Sequence, residues 1–212
     1  MYLTVPPSIG ECGLLARAGV GVILTPASGT RLDLTSLFPA FCCDNGCFAK
    51  GSQFDLSAYL NWLEAMAPAQ GTCLFATAPD VVGDAAATWD RSAPVLPELR
   101  RLGYRSALVA QDGIDPATLD WGTFDVLFVG GTDRFKLASS TFALVSEAKR
   151  RGKWAHLGRA NSWRRLRSAA VAGYDSADGT TMRFNTRRYG PEVARWGRML
   201  AALQWLPLEV SA

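Results

Sequence analysis

The sequence predicts a pared-down, TIM-like (β/α)8 barrel, formed by a single domain over residues 1–212. Short apolar runs alternate along the chain with segments of helical periodicity, and most of these runs are apolar on both faces. Strands of that kind are typical of a parallel sheet covered by helices. An open, doubly wound sheet would show the same alternation. The chain lacks a glycine-rich phosphate-binding motif, however, which favours the closed barrel.

Seven apolar runs, most of them ending at Gly, Pro, Asp or Asn, are predicted as strands, and an eighth is not evident. The strands are residues 20–25, 40–43, 72–77, 106–110, 126–129, 154–157 and 173–177. Five segments between or after them are predicted as helices: residues 56–66, 84–102, 138–151, 162–172 and 191–203. Asp84 and Asn161 stand where helix N-caps are expected. Gly103, Gly152 and Gly173 follow helices, where a left-handed residue is favoured.

Charge is distributed unevenly along the chain. Residues 1–149 carry 10 Lys+Arg and 15 Asp+Glu, whereas residues 150–212 carry 12 and 4. Eleven of those twelve basic residues are arginine, whose guanidinium suits phosphate better than an ammonium does. Solvated helix faces are the ordinary explanation of such residues, and a nucleic-acid partner is the alternative that the clustering favours.

Composition excludes several classes of protein. A chain of 212 residues with 49% hydrophobic residues can bury a sizeable core, which excludes a disordered tail. No apolar run approaches the roughly 20 residues of a membrane span, and the N-terminus does not resemble a secretory signal. The five cysteines are an odd number, so we expect reduced thiols and a cytoplasmic protein. Cys42, Cys43 and Cys47 lack structural-zinc spacing, and we expect neither a metal nor a cofactor.

Polar residues or glycines follow most of the predicted strands. In a barrel these positions share one mouth at the carboxyl ends of the strands. Each Asp taken alone is more simply a helix N-cap, but the set together indicates a site. Carboxylates without an adjacent Ser or His nucleophile favour displacement at an anomeric carbon, and the amide and glycine backbone suit a purine edge. The set is Asp44, Asp80, Gln111, Gly130, Gly131, Gly158, Arg159 and Asp178.

From about residue 41 to 188 the order of motifs resembles the tRNA-guanine transglycosylases, and particularly their DNA-acting relatives in bacteria and phages. Cys-Asp-Asn-Gly-Cys-Phe at residues 43–48 is similar to that family's Thr-Asp-Ser-Gly-Gly-Phe. Residues 78–80 and 109–113 resemble its purine-binding Asp and Gln segments. His-Leu-Gly at 156–158 matches a Met-Gly pair, and residues 173–178, followed by Asn185 and Arg187, resemble its nucleophile segment.

The resemblance implies a role for each matched residue. Asp178 would be the nucleophile and Asp44 the general acid and base, for which a pKa raised by burial would help. Phe48 and Leu157 would cover the two faces of the base. Its edges would be read by Asp80, Gln111, Gly130, Gly131 and Gly158. The flanking phosphates would be held by Arg159, Arg164, Arg165, Arg183, Arg187 and Arg188. His156 is expected to be a packed strand residue.

The resulting hypothesis is a DNA-guanine transglycosylase that exchanges guanine in DNA for a 7-deazaguanine such as preQ0, through a covalent bond from Asp178 to C1′. The partners would be a flipped-out DNA nucleotide and the free base. No cysteine follows Cys73, so the zinc subdomain of the tRNA enzymes is expected to be missing, which favours DNA. The alternatives are a tRNA-guanine transglycosylase, a non-catalytic base-binding subunit, and an unrelated barrel enzyme acting on small metabolites. Trp196 and Trp205 are expected either in the core or on a homodimer face.

Overall fold

The fold is a closed barrel of eight parallel strands, as predicted. The computed structural model describes residues 1–203, apart from the side chains of Ser52 and Leu203. Neighbouring strands along the chain pair with each other, and β8 closes the barrel against β1. The strands are β1 (Tyr2–Thr4), β2 (Gly21–Leu24), β3 (Phe41–Cys43), β4 (Cys73–Thr77), β5 (Ser106–Ala110), β6 (Val126–Val129), β7 (Trp154–Leu157) and β8 (Ser176–Gly179).

The strand missing from the sequence prediction is β1. It has three residues and is soon followed by Pro6 and Pro7, so it is too short for a periodicity to be visible. Its register pairs Leu3 with Asp178 of β8. The last strand was predicted at residues 173–177 but lies at Ser176–Gly179, so Asp178 is part of it rather than beyond it. Ser-Ala-Asp-Gly is not an apolar run and was therefore not recognised as a strand. Its polar side chains are accommodated by hydrogen bonds within the barrel.

Helices cover the outside of the barrel. They are α1 (Ile9–Arg17), α2 (Leu32–Leu37), α3 (Cys47–Lys50), α4 (Leu56–Met66), α5 (Ala85–Ser92), α6 (Leu96–Arg101), α7 (Asp133–Lys136), α8 (Ser139–Arg150), α9 (Trp163–Val171) and α10 (Thr186–Leu203). None of these described helices is long and apolar enough to cross a membrane.

Two helix predictions were wrong in extent. The helix predicted over residues 84–102 is two helices, α5 and α6, separated at a segment that contains Pro94; Pro97 opens α6, where a missing N–H is tolerated. The final helix begins at Thr186, five residues before Pro191, which lies inside it. α10 packs on α1, and the ring of Trp196 meets Tyr2 edge-on at 5.8 Å, so Trp196 belongs to the core. Trp205 lies outside the described residues.

The helix ends mostly follow the sequence signals. Asp84 caps α5 by accepting a hydrogen bond from the backbone N–H of Ala87 at 2.9 Å. The glycines after α6, α8 and α9 have φ of +86°, +70° and +86°, as expected of left-handed C-terminal residues. Ser162, not Asn161, caps α9. Asn161 instead accepts a hydrogen bond from the backbone N–H of Thr180 at 2.7 Å, which ties the segments after β7 and β8 together.

Strand alternation divides the core into two layers. Side chains that face the barrel interior form one cluster, and those that face the helices form a larger one. In β5, for example, Ala107 and Val109 belong to the interior cluster, and Leu108 and Ala110 to the outer one. Because alternation continues past the strand ends, residues in phase with the interior side chains, such as Gln111, reach the barrel mouth.

A candidate active site at the carboxyl ends of the strands

Asp178 is held on both of its oxygens. The backbone N–H of Arg159 donates to Oδ1 at 3.1 Å, and Nε2 of His156 lies 3.1 Å from Oδ2. On the other side of the ring, Nδ1 of His156 lies 2.8 Å from Oγ of Ser176, which also accepts a hydrogen bond from the indole N–H of Trp154 at 2.8 Å. The carboxylate therefore has a fixed orientation on the barrel wall.

The proton positions along this series of hydrogen bonds follow from the charge state of His156. Burial lowers the pKa of His156, more than its hydrogen bond to Asp178 raises it, so the ring is neutral near pH 7. A neutral ring that faces a carboxylate must carry its proton on Nε2, which leaves Nδ1 as an acceptor. Ser176 then donates to Nδ1 and accepts from Trp154. Nε2–H and the Arg159 N–H are thus both donors to the Asp178 side chain.

His156 was expected to be a packed strand residue, and that expectation was incomplete. The side chain is fully buried, between Phe75 and Phe128 at ring distances of 5.0 and 4.5 Å. Yet it binds the predicted nucleophile. The signal in the sequence was that His156 stands two residues before Gly158 and therefore shares its inward face. The register that pairs His156 with Ser176 becomes known only from the folded barrel.

Asp80 is also held on both oxygens, by two amides. Asn45 Nδ2 donates to Oδ1 at 3.2 Å, and Gln111 Nε2 donates to Oδ2 at 2.7 Å. The backbone N–H of Gly83 donates to the Gln111 carbonyl oxygen at 2.9 Å, which orients that amide. The structure therefore brings the predicted purine-binding residues Asp80 and Gln111 together. Asn45 was not anticipated, although it stands next to Asp44.

Asp44 differs electrostatically from Asp178. It is half-buried, and its only described hydrogen bond from a side chain comes from the Thr77 hydroxyl, at 3.3 Å from Oδ1. Burial, together with the charges of Asp80 and Asp178, raises the pKa of Asp44 to about 7. A carboxyl group with a pKa near 7 can both donate and accept a proton at neutral pH.

Phe48 and Leu157 are not brought together. Leu157 belongs to the outer layer, between the barrel and its helices, because its neighbours His156 and Gly158 take the inward positions. Its predicted role in covering a base is therefore wrong. The partner of Phe48 is Arg159, whose guanidinium carbon lies 4.6 Å from the ring centroid, while Nη2 donates to the carbonyl oxygen of Gly131 at 3.2 Å.

Arg159 is a strained residue at this position. Its φ is +58°, and no other non-glycine residue of the described chain has a positive φ. Such a backbone conformation costs of order 1 kcal/mol or more and often marks a functional site. Here it presents the backbone N–H to Asp178 while the side chain reaches Phe48 on the opposite wall.

The predicted glycines stand where a side chain would collide. A Cβ on Gly130 would lie 2.8 Å from Val109 and 3.0 Å from the Gln111 amide nitrogen. A Cβ on Gly158 would lie 2.7 Å from the Phe128 ring. Gly131 has φ of +72°, and its Cβ would lie 2.6 Å from an Asp112 carboxylate oxygen. The glycines thus allow close packing around Gln111 and the mouth.

The predicted phosphate-binding arginines lie around the mouth, on the β7 to β8 side. Arg164 and Arg165 are in the first turn of α9, and Arg183, Arg187 and Arg188 are exposed in the segments that follow β8. Arg165 is paired with Asp133 at 2.8 Å. Other basic residues, such as Arg150 at the end of α8, lie at the opposite end of the barrel. Within residues 1–203, no cluster of three or more His, Cys, Asp or Glu side chains could hold a metal ion.

No protein-family model matches this chain, and no curated protein sequence does. Solved structures match its fold. The native KDPGal structure has a TM-score of 0.61 at 10% identity, over 96% of this chain and 93% of that one. Tryptophan synthase from M. tuberculosis in an open form has 0.59 at 12%, over 95% and 91%. 3-Hexulose-6-phosphate synthase has 0.53 at 10%, over 94% and 98%. At these identities the likeness establishes a (β/α)8 barrel and nothing finer.

Proposed function

We propose that the protein is an enzyme that exchanges guanine in DNA for a 7-deazaguanine base such as preQ0. The observation that carries this proposal is the pair of unlike carboxyl groups at one mouth. Asp178 accepts a hydrogen bond on each oxygen, which fixes its orientation, whereas burial together with the charges of Asp80 and Asp178 raises the pKa of Asp44 to about 7. A fixed anion beside a proton donor and acceptor is the arrangement that a double displacement at C1′ needs.

In the first displacement, an Asp178 oxygen bonds to C1′ as the bond from C1′ to N9 of guanine breaks. The departing electron pair on N9 takes the proton of Asp44. In the second, Asp44 takes the N9 proton of the incoming base, N9 bonds to C1′, and the Asp178 carboxylate leaves. The two inversions give net retention, and Asp44 ends in its starting protonation state.

The base would lie between the two carboxyl groups and the Asp80 and Gln111 cluster. Asp80 and Gln111 are now hydrogen-bonded to each other at 2.7 Å and would turn toward the edge of a purine to recognise it selectively. Phe48 offers an aromatic face, at present covered by the guanidinium of Arg159. A flat base can replace that guanidinium on the ring, so we propose that Arg159 moves aside when a nucleotide enters.

DNA as the partner is supported by the charge around this mouth. Exposed arginines at the start of α9 and α10 suit the phosphates of a DNA backbone. Contacts to phosphates would position a DNA strand without reading its sequence. C1′ is shielded in a duplex, so the nucleotide must leave the helix at a cost of a few kcal/mol, less in single-stranded DNA.

The test is nucleoside mass spectrometry of DNA incubated with the protein and preQ0. The expected result is 7-deazaguanine in the DNA and released guanine, with both lost in Asp178→Asn. Asp90→Asn, an exposed carboxylate on α5, is the matched control and should retain exchange. Exchange that persists in Asp178→Asn would reject the assigned nucleophile. Incorporation into tRNA but not DNA would replace the DNA substrate by tRNA.

A further inference from the structure

A cavity of about 230 Å³ lies beside the mouth, between α7 and α9. Its lining combines four cationic side chains, Lys136, Arg159, Arg164 and Arg165, with apolar ones that include Phe142 and Leu157. Gly158 and Arg159 line it and also border the mouth, where the Arg159 N–H binds Asp178. Arg159, which follows β7, thus borders both the cavity and the proposed nucleophile Asp178.

Lys136 is buried in this cavity with only 6% of its surface exposed. Within the described part of the chain, its ammonium group has no ion pair and no hydrogen bond. The nearby carboxylate of Asp133 is bound instead by both terminal nitrogens of Arg165, at 3.2 and 2.8 Å. Burial, together with the charge of Arg159, lowers the pKa of Lys136 to about 8. The Lys136 side chain is largely withdrawn from water while its ammonium is unpartnered within the described chain, so a bound anion would be favoured there.

The lining also limits the kind of anion. An ammonium and guanidinium groups around one cavity suit a phosphate, because a guanidinium can donate two parallel hydrogen bonds to its oxygens. The apolar side chains would not favour a free, fully hydrated ion, but they suit a flat ring next to the phosphate. A nucleotide has both parts.

We propose that this cavity binds the nucleotide next to the exchanged one, with its phosphate on Lys136 and its base against the apolar lining. The identity of the ligand as DNA rests on the proposed function. The position of the cavity supports adjacency, because Arg159 lines the cavity and its backbone N–H also donates to Asp178. Contacts of this kind to a flanking nucleotide set sequence context in enzymes that act on flipped bases.

The experiment measures binding of a labelled single-stranded trinucleotide with a central guanine, by fluorescence anisotropy at fixed low salt. Two probes alter one flanking position: a neutral methylphosphonate linkage removes the phosphate charge, and an abasic sugar removes the base. On the wild-type protein each change should weaken binding, the methylphosphonate by about tenfold or more. In Lys136→Met the methylphosphonate should have little further effect. Arg134→Met, an exposed cation on the same helix, should leave that tenfold difference intact.

Thermal unfolding of the free protein separates binding from structure. Lys136→Met removes a charge that has no partner among the described residues, from a largely buried side chain, so its Tm should equal or exceed the wild-type value while binding falls. A lower Tm would indicate a structural lysine and overturn the proposal, and so would a methylphosphonate effect that persists in Lys136→Met. Base exchange without any effect of the flanking probes would reject only this cavity assignment. A clear probe effect without exchange would reject only the proposed reaction.

Discussion

Asp44→Asn tests the electrostatic basis of the proposed acid and base. In the folded protein the pKa of Asp44 is about 7, against 3.8 for an ordinary aspartate. The folded state therefore binds this proton more tightly than the unfolded state does, and stability falls as pH rises from about 4 to about 7. Below that window both states are protonated, and above it both are ionised, so the loss stays constant.

The size of the loss follows from the same shift. The full difference corresponds to about 4 kcal/mol, of which more than half falls between pH 5 and pH 8. Because Asp44 is half-buried and water screens part of its interaction, we expect about 1–2 kcal/mol in that interval. Asparagine carries no charge at any pH, so the variant should gain this amount relative to wild type as pH rises.

Urea unfolding of Asp44→Asn and wild type at about pH 5 and about pH 8 measures the effect. The free energy of unfolding of the variant minus that of wild type is compared at the two pH values, so the contributions of other titrating groups largely cancel. Asp112→Asn is the matched control without this pH dependence. Although burial acts to raise the pKa of Asp112, its hydrogen bonds from Thr132 lower it overall, below 3.8. Asp112 is therefore ionised in both states between pH 5 and pH 8, and the stability difference between this variant and wild type should not change over that interval. A stability difference for Asp44→Asn that does not change with pH would refute the reasoning.

Two further substitutions test packing and orientation. A Cβ on Gly179 would collide with the Tyr2 hydroxyl and lie 2.6 Å from the Asn161 side chain, so Gly179→Ala should lower the free energy of unfolding in urea by about 1–3 kcal/mol. The control is Gly10→Ala in α1, which has open space around it and should be neutral or stabilising. Equal effects of the two substitutions would contradict this account. His156→Gln should reduce kcat for base exchange by about tenfold or more with little change in KM, because it disturbs the orientation of Asp178 rather than substrate binding. A change confined to KM would argue against an orienting role for His156.

Much of the site could be predicted because its residues occupy a repeated position. Strand ends are visible in one sequence as the points where an apolar run stops, and in a barrel they all open to one mouth. Asp44, Asp80 and Gln111 were placed together in that way, and the structure joins Asp80 and Gln111 by a hydrogen bond of 2.7 Å. The face of a side chain was harder to judge. Leu157 was placed in the mouth, although alternation from Gly158 directs it outward.

The sequence by itself determined the alternation of strands and helices, most ends of the five helical segments that it predicted, and the clustering of charge in the last third of the chain. These are local properties, set by periodicity and capping within one segment. Only the tertiary structure decided that β1 closes the barrel, that His156 lies against Asp178, and that Lys136 is buried with no partner among residues 1–203. Each of these depends on the register between segments distant along the chain, and register is determined by packing of the whole barrel rather than by any one segment.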